Sequence, residues 1–368
     1  MAGGRPWASP NRVAAWLVGI AVLAFLLYVP QYYEATTVNR YTTAIFIGIA
    51  AMGLNILTGY NGQVSIGHGA FFALGGYTSA LLMRDAGWPF LATVPIAALV
   101  CFVVGALVGF PALRVKGLYL ALVTLGLAVV FPDVARKFVN STDGFFDHNG
   151  EPGTVQLSIR EHLAPPFWHD WFADPIADRL RDWIGARDQW AYYCALFLGL
   201  LLLLGVWLIS RSRFGRALIA VRDHEAAAAT VGIDLARVKV AAFALSALYA
   251  GVAGSLAVMI NRSASVTKQE VFQDSIFFLV AVVIGGTATV VGPMIGAFIL
   301  VFVQEWLDES DWLSDLLDDQ RARLASPALF GIALILAMYV LPDGLVGGSR
   351  RLLRRLKRRR PVSEAAVT

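Results

Sequence analysis

Residues 54–83 read LNILTGYNGQVSIGHGAFFALGGYTSALLM, and this stretch decides how the rest of the chain is read. It is apolar enough for a bilayer, yet it carries Gly59, Gly62, Gly67, Gly69, Gly75 and Gly76, with Asn55, Asn61, Gln63, Ser65 and His68 crowded into its first half. Lipid offers no partner for backbone groups freed by a broken helix, so such a segment must be shielded by protein or line a wet cavity. Transport proteins place their pathways at breaks of this kind. Asn55, Gln63, Ser65 and His68 are therefore candidates for facing a substrate path. His68 has a second reading, a hydrogen-bonded packing histidine between Gly67 and Gly69.

Composition widens the inference outward. Soluble domains are about 45–50% apolar and about 25% charged, whereas these 368 residues are 57% hydrophobic and 15% charged. Cys101 and Cys194 sit inside apolar runs and read as small buried hydrophobes, not as a disulfide or a metal site. An apolar run at 13–28 follows Arg5 and Arg12 and lacks a small-x-small cleavage site, so it reads as a retained first helix. Further runs at 42–58, 66–83, 90–110, 118–131, 190–209, 240–260 and 328–341, with a double run at 275–306 split by Gly285-Gly286 and Gly292-Pro293, bring the expectation to about ten spans. The expected fold is an all-α polytopic membrane protein, one permease-like domain over 1–368. Between its spans lie an insertion at about 133–189, a polar loop at about 210–239 and a basic tail at about 349–368.

Charge orients these spans. Lys and Arg gather on the cytoplasmic side of short loops. With a cytoplasmic N-terminus, four basic regions fall inside the cell, and they hold eighteen of the thirty basic residues. Both termini are then cytoplasmic and the insertion faces outward. The proposed spans contain no Asp, Lys or Arg well inside them, and Glu305 lies near an end. Ion-coupled carriers generally bind their driving ion through intramembrane acids, so this pattern disfavours a proton-coupled carrier. No G-x-x-x-x-G-K-[ST] motif occurs, because Gly is never followed by Lys; any nucleotide that drives transport binds another chain. His148, His162 and His169 in the insertion have irregular spacing and form no compact metal motif, so no metal is expected.

The loop at 210–239 contains an alanine-rich segment, 217–231, expected to form one short helix bracketed by Gly215 and Gly232. It reads equally as a docking knob for a cytosolic partner or as an interfacial helix whose Arg213, Arg216 and Arg222 meet anionic lipid. The next span carries small residues at four-residue spacing, Ala247, Gly251 and Ser255 beside Ser246, Ala250 and Gly254, which let helices approach closely. This helix should be surrounded by protein.

Four blocks together resemble the permease subunits of branched-chain amino-acid ABC importers, the LivM-like family. They are GYNGQVSIGHGAFFALGGYTSALL (59–82), LRVKGLYLALVTLG (113–126), RDHEAAAATVGIDLARVKVAAFALSALYAGVAGSL (222–256) and VVIGGTATVVGPMIGAFI (282–299). The resemblance covers most of the chain outside the insertion and the two ends. It implies an importer of branched-chain or other neutral amino acids in a bacterial inner membrane. The implied partners are a second homologous permease, two cytosolic ABC ATPases and an external substrate-binding protein. ATP and magnesium would sit on the ATPases and no cofactor on this chain, which would itself not be an enzyme. Arg222, Glu225, Ala226, Ala227 and Gly232 match the family's ATPase-coupling motif, with four residues between the second Ala and Gly where the general importer pattern has three. The family's T-G-G-S-x-G stretch is only partly kept in Asn140-Ser141-Thr142-Asp143-Gly144. Urea and sugar permeases share the first and last blocks, and an ion-coupled carrier or a membrane enzyme using the outer loop are the remaining alternatives. Within the family reading, Gly67, Gly69, Gly75, Gly76, Gly285, Gly286 and Gly292 are hinge or packing positions of a moving gate.

Overall fold

The computed structural model describes residues 10–113, 117–140, 154–156, 187–261, 263–265, 268–308, 331–332, 335, 339 and 344–348. Most of the insertion, including its three histidines and residues 141–144, lies outside them, as do Arg114 to Lys116, the acidic stretch at 309–319, most of the expected tenth span and the basic tail.

The described chain is helical apart from one short pair of strands. In order come α1 (Pro10–Tyr32), α2 (Ala35–Asn55) running into a π-helical turn (Ile56–Tyr60), α3 (His68–Ala86), α4 (Phe90–Ala112) and α5 (Leu118–Asn140). They are followed by α6 (Arg187–Arg211), the short α7 (Arg213–Asp223) and α8 (Glu225–Thr230), then α9 (Leu235–Asn261), α10 (Lys268–Gly285) and α11 (Gly292–Asp308). By length and apolar composition alone, 35–60, 90–111, 189–211 and 235–261 can each cross a membrane. Shorter apolar helices occupy 19–32, 119–135 and 292–307.

Three boundaries differ from the sequence reading. Pro132 does not end the fifth helix, which continues to Asn140 for 23 residues. Pro30 likewise lies within α1. Proline inside a membrane helix is tolerated where neighbouring groups take up the freed carbonyl. The tenth helix begins at Lys268, seven residues before the apolar run, so Glu270 and Asp274 belong to its first two turns. The all-α expectation also needs one addition. Thr154–Gln156 pairs antiparallel with Ser263–Ser265 and lays a piece of the insertion on the α9–α10 connection.

At the centre is α9, where every residue from Ala242 to Met259 is buried except Leu245 and Leu248. Its small residues make this possible. A Cβ on Gly251 would lie 2.6 Å from Cys101 Sγ of α4, and one on Gly75 of α3 would overlap the Gly251 backbone. Ser79 Oγ donates to Ser255 Oγ across the same contact at 2.7 Å. In lipid, close van der Waals packing and such hydrogen bonds, worth about 0.6 kcal/mol each on average, hold helices together. Large apolar residues instead face outward on the peripheral helices, with Leu107, Phe110 and Phe197 each more than 65% exposed. This is the inverse of a soluble surface and fits a lipid-facing belt.

Candidate functional site

The site is built where α2 fails to continue as an α-helix. After Asn55 the chain widens into a π turn, a feature frequent at functional sites. It turns sharply at Gly62, whose φ of 75° lies in the left-handed region, and runs without helix until His68 starts α3. Local bonds shape this break: Gln63 N donates to Leu57 O at 3.1 Å, and Thr58 Oγ1 donates to Gln63 O at 3.1 Å. Thr124 of α5 receives the Ile66 N–H at 3.1 Å, and Ser275 of α10 receives the Gly69 N–H at 2.8 Å. Gly67 and Gly69 have no room for a Cβ against the backbones of Thr124 and Val271. The N-terminus of α3 is thus clamped between two other helices.

The four polar side chains singled out above are all buried. Asn55 is fully enclosed, and its amide is spent on the α10–α11 turn: Nδ2 donates to Thr289 O at 2.8 Å, and Oδ1 accepts from Ala288 N at 2.9 Å. His68 Nε2 donates to Ala50 O at 3.1 Å, and the ring stands edge-on to Phe278, 6.0 Å between centroids. Gln63 Oε1 accepts from Asn61 Nδ2 at 2.9 Å. Ser65 Oγ and Asn61 Oδ1 are buried with no hydrogen-bond partner among the described residues. An unpaired buried polar atom costs about 1–3 kcal/mol, and two such atoms lie in the break.

The α10–α11 turn holds the other glycines. Gly286 has φ 110° and Ala288 φ 55°, a conformation that the Thr289 Oγ1 bond to Gly286 O (2.6 Å) helps to fix. Gly285 and Gly292 face each other so closely that a Cβ on either would strike the other's carbonyl oxygen. Asn55 therefore staples two breaks together, one in α2 and one between α10 and α11.

The loop helix differs from expectation. It is not one helix over 217–231 but two, broken at His224, where φ is −156°. Gly215 lies inside α7, whose start is capped by Ser212 Oγ accepting from Gly215 N at 3.1 Å. Two tertiary anchors produce the break. Ahead of it, Arg222 Nη1 donates to Gly59 O at 3.0 Å, and a Cβ on Gly62 would sit 2.7 Å from Arg222 Cγ. Behind it, Glu225 turns inward to the buried Lys239 of α9, with Oε1 2.6 Å from Nζ. The sequence reading missed Lys239, whose polar character at the foot of α9 was the available signal. α8 ends at Thr230 and is closed off by Gly232 (φ 83°), with Gly232 N bonded to Ala229 O and Ile233 N to Ala228 O, both at 3.1 Å. This is a Schellman arrangement. Ala226, Ala227 and Gly232 are exposed, and Val231 is 75% exposed. The outcome is a small apolar knob tied by Arg222 to the broken segment.

Comparison with known proteins now bears on the arrangement. Residues 36–339 match the family of branched-chain amino acid transport system permease components. The chain belongs to this family. Among relatives, the high-affinity branched-chain amino acid transport system permease protein LivM of Escherichia coli K12 is 31% identical over 95% of this chain and 79% of its own length. LivH of the same organism is 25% identical over 88% of this chain and 96% of its own. The autoinducer 2 import system permease protein LsrC of Klebsiella pneumoniae is 34% identical, but over only 27% of this chain and 30% of its own. No solved structure matches. The permease is thus a multi-pass membrane protein of the LivM-like kind, and its relatives are transport subunits rather than enzymes.

Proposed function

We propose that this permease is one half of the membrane channel of an ATP-driven importer for branched-chain or other neutral amino acids, set in a bacterial inner membrane. In this reading ten spans cross the bilayer, both termini are cytoplasmic, and α7–α8 face the cytosol. A homologous permease completes the channel, an external binding protein delivers substrate, and two ABC ATPases carry ATP and magnesium. The observation that carries the proposal is the Arg222–Gly59 hydrogen bond. It joins an exposed knob suited to an ATPase surface directly to the break between α2 and α3. A push on α8 would move Arg222, then the π turn, then the Asn55 staple and the α10–α11 turn. Gln63, Ser65 and His68 would shift with the segment that opens the path, while Gly67, Gly69, Gly75, Gly76, Gly285 and Gly292 act as its tight pivots.

The supporting experiment is site-specific crosslinking in the assembled complex. A photoreactive residue at Val231 or Ala227 should link to the ATPase subunit, and one at Trp306, near the opposite end of the bundle, should not. Crosslinking to lipid alone from both loop positions would refute the docking role and favour the interfacial-helix reading.

A further inference from the structure

Helix α6 is tied to its neighbours at two levels and stands away from α4 between them. At its start, Gln189 Nε2 donates to Pro30 O at 2.9 Å, Tyr192 Oη to Leu26 O at 2.7 Å and Tyr193 Oη to Leu27 O at 3.1 Å. Leu26 O is the carbonyl that Pro30, lacking an N–H, leaves without its helical donor. Tyr192 thus fills the gap in α1 and fixes α6 to it. Further along, Tyr249 Oη of α9 donates to Leu202 O at 2.9 Å, and a Cβ on Gly205 would lie 2.6 Å from that hydroxyl oxygen. Between the two ties a cleft of about 540 Å³ opens between α4 and α6, with Leu248 and Val252 of α9 as its floor.

The cleft is shaped for hydrocarbon. The polar side-chain atoms among its lining residues are the Trp190 indole N–H, the Tyr193 hydroxyl and the Cys194 thiol, all within the first two turns of α6. Beyond them the lining is aliphatic or aromatic, so nothing there can pair with a carboxylate or an ammonium or hold a water. Left empty, the walls would forfeit the contacts of a packed interior. The cleft is continuous with the lipid-facing belt, because Leu91, Phe197 and Leu201 line it and are also exposed.

Its dimensions select the occupant. From Trp190 to Leu202 the cleft follows α6 for twelve residues, about 18 Å at 1.5 Å per residue. One leaflet contributes about 15 Å to a hydrocarbon core of about 30 Å. Spread along that length, 540 Å³ gives a mean cross-section of about 30 Å², too narrow for a second helix, whose diameter of about 10 Å needs about 80 Å². Trp and Tyr favour the headgroup level of a bilayer, which puts the mouth of the cleft at a membrane surface. Because α6 runs on into α7, that surface is the one opposite α7–α8.

We propose that this cleft binds one acyl chain of a phospholipid from that leaflet, with its headgroup beside Trp190 and its methyl end against the Tyr249–Leu202 tie. The proposal is independent of the cargo and energy source of transport. Leu248 is one of the two residues between Ala242 and Met259 that protein does not bury, and the chain completes the enclosure of α9 there. The lipid is then a packing element of the central helix and not solvent.

The test uses the full-length chain in phosphatidylglycerol nanodiscs, a fraction of the lipid carrying a diazirine midway along one acyl chain. Photolysis is expected to label Leu198 and Leu202 inside the cleft, and Leu99 and Val103 on the exposed face of α4. When diazirine-free phosphatidylglycerol is exchanged in before photolysis, the cleft label should decay at least tenfold more slowly than the α4 label. Ala98→Phe, which fills the cleft, should cut the cleft label at least fivefold and leave the α4 label as it was. Leu248→Trp is the second filling variant if thermal melting shows Ala98→Phe to be unfolded. Equal decay at the two places makes the cleft lipid ordinary solvent and overturns the proposal, as does unchanged cleft labelling in a folded filling variant. A photoreactive residue at Leu198 in native membranes supplies the last arm: it should link to phospholipid, and linkage to a polypeptide instead would assign the cleft to a protein seam and overturn the proposal.

Discussion

Replacing Glu225 should loosen α8 far more than replacing its partner. Lys239 Nζ lies 2.6 Å from Glu225 Oε1, with side-chain exposures of 8% for Lys239 and 33% for Glu225. At an effective dielectric near 20 their attraction is about 6 kcal/mol, most of it offset by the cost of removing both charges from water. The asymmetry decides the outcome. Glu225→Ala strands an ammonium that water barely reaches, at a cost of about 3 kcal/mol. Lys239→Met leaves a carboxylate one-third exposed and able to recover solvent, at about 1 kcal/mol. Because 1.4 kcal/mol is a factor of ten, hydrogen exchange in α8 should quicken about a hundredfold in Glu225→Ala and less than tenfold in Lys239→Met. The double variant should exchange more slowly than Glu225→Ala alone. In the reconstituted complex, Glu225→Ala should hydrolyse ATP while moving little substrate. Equal effects of the two single changes that simply add in the double would refute the buried-pair argument.

Three further outcomes follow from the same geometry. Gly62→Ala combines a left-handed φ with contact against Arg222 Cγ; it should lose about 1–2 kcal/mol and most of its uptake, whereas Gly126→Ala, with open space around it, should leave melting and uptake unchanged. Asn55→Leu orphans Ala288 N–H and Thr289 C=O, about 3 kcal/mol together, and should lower the melting temperature in detergent more than Gln63→Leu does. Arg222→Ala should cut uptake at least tenfold with ATP hydrolysis preserved, and Arg222→Lys, which keeps one donor for Gly59 O, should restore part of it; the ratio of ATP hydrolysed to substrate moved is the readout.

Much of the fold was legible because membrane constraints leave strong marks. The small-residue ladder of α9 announced a helix enclosed by others, and Gly285-Gly286 with Gly292-Pro293 marked the turn between α10 and α11. Hydropathy misplaced boundaries where polar residues continue a helix beyond its apolar run. It opened the eighth span at Ser275 and so left Glu270 and Asp274 outside the helix that in fact starts at Lys268. Pro132 looked like a stop because local rules count the lost hydrogen bond, yet α5 continues through it to Asn140. The division of the loop helix at His224 was not legible at all, since it depends on Arg222 reaching Gly59, 163 residues away in sequence, and on Glu225 reaching Lys239. Asn55 shows the limit most clearly. A lone amide in an apolar run fits a wet pathway or a buried staple equally well, and its partners lie 233 and 234 residues downstream.

The most direct test of the account is uptake of labelled leucine by proteoliposomes holding the permease pair, its ATPases and the external binding protein. The account predicts that uptake depends on hydrolysable ATP on the α7–α8 side, persists when proton and sodium gradients are collapsed by ionophores, and falls with Arg222→Ala while hydrolysis continues. Uptake driven by an ion gradient without ATP, or uptake indifferent to the Arg222 link, would contradict it.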